Sequence, residues 1–247
     1  MKPSIYTLMI AVLTSCTAQY VPLDYDTTLN NNQTFIEVDG VAYTMEFVSS
    51  NDDLVTFWLH IDNQSEDTVY LSDKATMAYS SPDFEAENTN IVAEGALGPD
   101  DVEFFYREKV RNANTMAVAA VIFGAALIVA DAAADNRDSK KEYWSKKDER
   151  RYQSRNALTD FGVFTADMLV SSAGEQKYTA KEELRYLPGE LFRKKSISPG
   201  FSHDGKLVFK NNVLYKYYRV KLLANGYTLN FDFRKAKSEE KQALRGY

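Results

Sequence analysis

Apolar and polar residues alternate in two separated parts of this chain, and between those parts they repeat at helical spacing. From Thr34 the period is two. In "TFIEVDGVAYTMEFV", Phe35, Glu37 and Asp39 fall on one side and Ile36 and Val38 on the other. Asp39-Gly40 is a pair suited to the positive φ of a tight hairpin. "LVTFWLHIDN" sets Val55, Phe57, Leu59 and Ile61 against Thr56, Trp58, His60 and Asp62, the pattern of a half-buried strand. "QSED" predicts a turn and "TVYLSD" a further strand. The alternation returns after Pro188, with Ser198-Pro199-Gly200 as a turn and "GKLVF" and "LYKYYRVKLL" as strands. Ala224-Asn225-Gly226 then reverses the chain into a last strand that sets Tyr227, Leu229, Phe231 and Phe233 on one face. Neither part has enough strands to close a core alone. Residues 34–98 and 188–235 are therefore expected to combine as two packed antiparallel sheets, with 236–247 as a tail.

Residues 99–187 break the alternation. Gly98-Pro99-Asp100-Asp101 is a helix start, with proline and acids at the positive end of the helix dipole. The apolar stretch "TMAVAAVIFGAALIVADAAA" follows, then the charged block "KKEYWSKKDERRYQSR", then a second apolar stretch. In the second stretch Leu158, Phe161, Phe164 and Met168 form a stripe of the kind a packed helix needs. Thr179 and Glu182 have capping-box spacing, which predicts a last short helix. Two apolar blocks around a charged one imply an antiparallel helical hairpin with a charged tip. Ala120 and Gly124, then Ala126, Ala130 and Ala134, recur every four residues, and small residues so spaced let helix backbones approach closely.

The first apolar block is uncharged for about 16 residues, or roughly 24 Å of helix. A bilayer core is about 30 Å thick, and Asp131, Asp160 and Asp167 stand against insertion. A buried helix, packed on its partner and on the sheets, is the expectation. Apolar surface left uncovered would mark a docking site. Ala120, Gly124, Ala126, Ala130, Phe161, Phe164 and Met168 are the candidate interaction residues.

Composition narrows the class. At 247 residues, 45% apolar and 26% charged, the chain is long enough to fold around a real core. A net charge of −6 speaks against nucleic acid as a partner. Candidate chemistry is sparse. His60 sits in a strand, and His203 in "FSHDG" reads as a turn residue, because adjacent Ser202, His203 and Asp204 cannot supply triad geometry. No zinc spacing, phosphate loop or nucleophile elbow is present, and no cofactor is expected. "SNDD" and "GPDD" match turn and cap chemistry better than a calcium loop. The charged block reads as a solvated helix face, with contact to acidic polymers or lipid headgroups as the sharper alternative.

The amino terminus carries the most specific signal. Lys2, the apolar run Ile5 to Leu13 and small Thr14 and Ser15 lay out a signal peptide over 1–15, ahead of the chain's single cysteine, Cys16. "LTSC" resembles the lipobox of bacterial lipoproteins. The resemblance implies cleavage before Cys16 and acylation of its sulfur, with further acylation of the new amino group. Residues 16–33, polar and rich in asparagine, read as a flexible tether. "FWLHIDNQSEDTVYL", "SPGFSHDGKLVF" and "YRVKLLANGYTLNFDF" resemble the strands of immunoglobulin-like bacterial envelope lipoproteins.

The expected fold is thus α+β: an immunoglobulin-like antiparallel β-sandwich interrupted by a long α-helical hairpin insertion. The expected function is that of a non-catalytic binding or scaffolding protein of the bacterial cell envelope, with the outer membrane as its address and no enzymatic activity. Its partners would be the membrane, through acyl chains, and an envelope protein or a second copy of itself. One alternative is a hairpin that inserts into a bilayer. Another is a carbohydrate-acting enzyme using Asp and Glu.

Overall fold

Two tight turns, each built on a pair of residues with positive φ, set the register of the sheets. Asp39 and Gly40 lie at φ 50° and 76°, and Asn225 and Gly226 at 46° and 80°, the left-handed pairs that twist-matched hairpins require. The computed structural model describes residues 18–24, 32–51, 53–72, 75–81, 92–138, 145–193, 196–212 and 214–245. The first turn joins β2 (Gln33–Val38) to β3 (Val41–Ser50), and the second joins β10 (Tyr217–Ala224) to β11 (Tyr227–Lys235).

The remaining strands are β1 (Tyr20–Pro22), β4 (Leu54–Asn63), β5 (Val69–Tyr70), β6 (Thr76–Ser80), β7 (Val92–Gly95), β8 (Ser196–Ile197) and β9 (Phe201–Lys210). One sheet runs β1-β11-β10-β6-β7, another β2-β3-β4-β9, and β5 pairs with β8 alone. Every pairing between these strands is antiparallel. The two parts of the chain interleave, since β9 completes the sheet of β4 and β10 lies beside β6. Between β7 and β8 come two long helices, α1 (Pro99–Asp138) and α2 (Lys146–Glu190). The chain is therefore a mixed α and β protein whose antiparallel sheets are interrupted by a long helical region. The strands form one compact unit with the terminal helix α3 (Ser238–Arg245), and Pro99–Gly189 forms the other.

The main core draws on both larger sheets, and Val21 and Ala236 form a separate small cluster. Val55, Phe57, Leu59 and Ile61 of β4 are fully buried, as alternation predicts, and so are Phe231 and Phe233 of β11. Tyr227 departs from its predicted face and is exposed, because it stands at the turn. The Phe57 and Phe233 rings, from different sheets, lie 4.8 Å apart. Asn63, at the end of β4, is buried and fully used. Its amide donates to the carbonyls of Asp67 (2.8 Å) and Ile197 (2.9 Å). Its oxygen accepts from the Ser65 backbone and hydroxyl (3.1 and 2.6 Å), which ties the "QSED" turn to β8.

Several expectations need correcting. The tether expected over 16–33 is in part structured. Tyr20–Pro22 pairs with β11, the Ser50 hydroxyl donates to the Ala18 carbonyl, and Tyr20 and Val21 are completely buried. Polar neighbours hid this short strand, whose ladder partners lie more than 190 residues away. The segment "TVYLSD" gives only a two-residue strand with an isolated bridge at Leu71. The tail 236–247 holds α3. Cys16, the signal residues 1–15 and the first five residues of the charged block, 140–144, lie outside the described residues.

Candidate interaction surface on the helical hairpin

The capping box of the insertion sits at Ser145, not at Thr179. The Asp148 carboxylate accepts from the Ser145 backbone N–H (3.1 Å) and hydroxyl (2.6 Å), and the Asp148 N–H donates back to the Ser145 hydroxyl (3.3 Å). That reciprocal arrangement starts α2. Thr179 lies in mid-helix, with no separate short helix after it. Pro188 stands only in the last turn, and the helix ends at Glu190.

Three contacts fix α1 and α2 as antiparallel partners. A Cβ on Gly124 would sit 3.2 Å from that of Ala166, and one on Gly162 would strike the Leu127 side chain. Toward the tip, Arg155 bridges the helices, with Nε 2.7 Å from Asp131 Oδ1 and its guanidinium also on Asp135. With that pairing, the buried small residues fall into one seam. Ala113 and Ala120 on α1, and Ala166, Ala173 and Ala180 on α2, are all nearly inaccessible and recur every seven residues. A seven-residue repeat of alanine is the signature of a close helix-helix seam.

The small seam leaves the large residues outside. This overturns the buried-helix expectation: only 11% of the apolar window in α1 is buried. Val121, Ile122, Phe123, Ile128 and Val129 on α1 are more than half exposed, and so are Leu158, Phe161 and Phe164 on α2. The stripe Leu158, Phe161, Phe164 and Met168 is therefore largely exposed and not buried as a packed face. Of the candidate interaction residues, Ala120 and Gly124 are consumed in the seam, whereas Ala126, Ala130, Phe161, Phe164 and Met168 face solvent. The sequence placed all five small residues together because a spacing of four does not separate the seam from its flanks.

Charge is distributed unevenly around this apolar band. One flank forms an open groove lined by Ile128, Asp131, Asp135, Asp160, Val163 and Asp167, among others. Asp160 and Asp167 stand seven residues apart on that flank. Compared with known proteins, the chain matches no protein family, no curated protein and no solved structure. The band must therefore be read from its own chemistry. A continuous exposed apolar surface on both helices, framed by ion pairs, is suited to contact with another apolar surface.

In the strand unit, exposed large apolar residues such as Phe35, Tyr70 and Phe201 stand on separate strands. His203 lies within β9, not in a turn, and its ring packs on Phe192 at 5.2 Å. Strand alternation turns Ser202 and Asp204 to the opposite face from His203. His60 is directly opposite Asp204 in the β4–β9 ladder. Among the described residues, no three His, Cys, Asp or Glu side chains converge as metal ligands. The strongest pKa shifts belong to structural groups. Burial pushes the Tyr79 and Tyr218 hydroxyls far up, and the Arg234 guanidinium holds the Glu240 carboxyl down at about 2.

Proposed function

We propose that this is a lipid-anchored protein of the bacterial cell envelope that works by binding, with the helical hairpin as its docking part and an immunoglobulin-like sandwich as its base. The observation that carries the reading is the exposure of large apolar residues around both helices. Such a surface is costly in water and is retained where something covers it. The lipobox-like "LTSC" supplies the anchor, and two acylated chains or more hold stably, at about 0.8 kcal/mol per buried methylene. Ala18 is already fastened into the strand unit, so the anchor at Cys16 holds the sheets close to the lipid surface.

The test uses photocrosslinking side chains placed singly at Phe123 and Phe161, and at exposed Phe35 of β2 as control, in cells expressing the full chain. Specific adducts from the hairpin positions and none from Phe35 are expected. Equal labelling at all three would remove the docking role. Mass spectrometry of the same preparation reads Cys16, and a free thiol there would remove the anchor.

A second reading is favoured by one observation: Pro99–Asn136 is long and apolar enough to cross a membrane. In that reading the hairpin enters the bilayer. Asp160 and Asp167 would enter with it, each at roughly 2.5–3.5 kcal/mol near the centre. The docking reading leaves both in water.

A further inference from the structure

We infer that the hairpin's uncharged flank is a self-association surface, covered by the same flank of a second copy of this chain. The inference rests on the docking reading above and names its partner.

The argument begins with where charge is missing. On α1, no charged residue occurs between Arg111 and Asp131. On α2, only Asp160 and Asp167 occur between Arg155 and Glu175, and both line the groove. At 3.6 residues per turn, Met116, Phe123, Leu158, Phe161 and Leu169 fall on the other side of the seam from that groove. All five are exposed, and none lines the groove. The hairpin therefore has one acidic flank and one flank that is uncharged, with Thr165 and Ser172 among its apolar residues.

The apolar flank also has the relief of a packing surface. Exposed Ala126 lies three residues from Phe123 on α1 and exposed Ala130 seven, so short side chains neighbour a long one there. Large residues beside small ones on one antiparallel pair make a surface that can fit itself across a two-fold axis, as an isologous interface requires. The area is sufficient. The part-exposed Phe, Leu and Met side chains leave roughly 100 Å² each, and the five with the alanines give about 500–600 Å² per copy. Two copies would bury about 1,000–1,200 Å², at the threshold of a specific interface.

Charge decides between a second copy and lipid. A bilayer would surround the hairpin and take in Asp160 and Asp167, which have no basic residue beside them in the groove. Pairing through the opposite flank leaves both carboxylates facing water, together with the Asp131–Arg155–Asp135 bridge. The product is a four-helix bundle with an apolar centre and acidic outer faces.

Two differently tagged forms of the full chain, co-expressed and captured through one tag, test this. Co-capture of the second tag is expected for the parent. Its loss is expected when Phe123→Glu and Phe161→Glu are present in both copies. Phe164→Glu, on the groove side, should leave co-capture intact, and circular dichroism of each variant should keep the parent's helix content. Absence of co-capture from the parent would overturn the inference, as would equal loss with Phe164→Glu. Neutral phosphatidylcholine vesicles supply the lipid arm. If they shield Phe161→Cys from a water-soluble maleimide, lipid is the occupant and self-association is excluded. Hairpin adducts to a different envelope protein, with no co-capture, would sink self-association while leaving the docking role standing.

Discussion

Tyr20 and Tyr218 stack with ring centroids 4.3 Å apart, and the Tyr20 hydroxyl donates a 2.8 Å hydrogen bond to the Tyr218 hydroxyl. Tyr218 in turn donates to Asn211 Oδ1 at 2.5 Å. The chain's first described strand is thereby tied to a strand nearly 200 residues later, in a site from which water is excluded.

Tyr20 therefore acts as a core residue. Tyr20→Phe keeps the ring stack and leaves Tyr218 its acceptor, so a loss of only about 1 kcal/mol is expected. Tyr20→Ala empties a large buried site and should lose about 3–5 kcal/mol. Urea unfolding followed by near-ultraviolet circular dichroism measures both. Similar small losses for the two variants would mean that residues 20–22 behave as a tether after all.

Acid sensitivity should centre on α3. Glu240 accepts from Arg234 at 2.8 and 2.6 Å and from the Lys237 N–H at 2.6 Å. The Arg234 bond is the main cause that depresses its pKa from 4.5 to about 2. A depressed carboxylate stabilises the fold while it is ionised. Its contribution is full above about pH 4.5 and is lost as pH falls from there toward about 2. Glu240→Gln should lower stability at pH 7 by about 2–3 kcal/mol and flatten the fall between pH 4.5 and 2. Thermal melts across that window give the answer, and parallel pH slopes for the two proteins would refute it.

Gly205 is required by a close approach. A Cβ there would lie 2.7 Å from the Phe192 Cα, which is backbone and cannot swing away. The Phe192 N–H donates to the Lys206 carbonyl at 2.9 Å, holding the returning chain against β9. Gly205→Ala must push that chain off, and a loss of about 1–3 kcal/mol is expected. Gly174, on an open helix face with no atom within reach, should accept alanine with a small gain. Comparing the two melting temperatures checks the pair.

Alternation of period two made β3, β4 and β11 readable, because each buries one face against the same core. The turn pairs Asp39-Gly40 and Asn225-Gly226 were readable for a related reason: few residues accept positive φ. The strand at Tyr20–Pro22 was not readable, since three residues carry no period and their ladder partners are distant. The hairpin was half readable. Its existence followed from two apolar blocks around a charged one. The identity of its inner face did not, because the usual assumption that large apolar residues point inward fails in a seam built from alanine. The signal was the seven-residue recurrence Ala113–Ala120 and Ala166–Ala173–Ala180.

That recurrence carries the last prediction. Ala173 is 1% exposed at the centre of the seam, where backbones close enough to bring Gly124 against Ala166 leave no room for a longer side chain. Ala173→Leu must force the helices apart or twist them out of register, at about 1–3 kcal/mol. Ala126→Leu, the same chemical change on the exposed flank, adds surface without touching the seam. Far-ultraviolet circular dichroism on heating should therefore show the helical signal of Ala173→Leu melting earlier than that of the parent and of Ala126→Leu. The near-ultraviolet signal of the Tyr20–Tyr218–Tyr79 cluster should stay with the strand unit and melt as in the parent. If Ala126→Leu loosens the hairpin as much as Ala173→Leu, the inner and outer faces assigned here are exchanged. The uncharged flank would then be the seam itself.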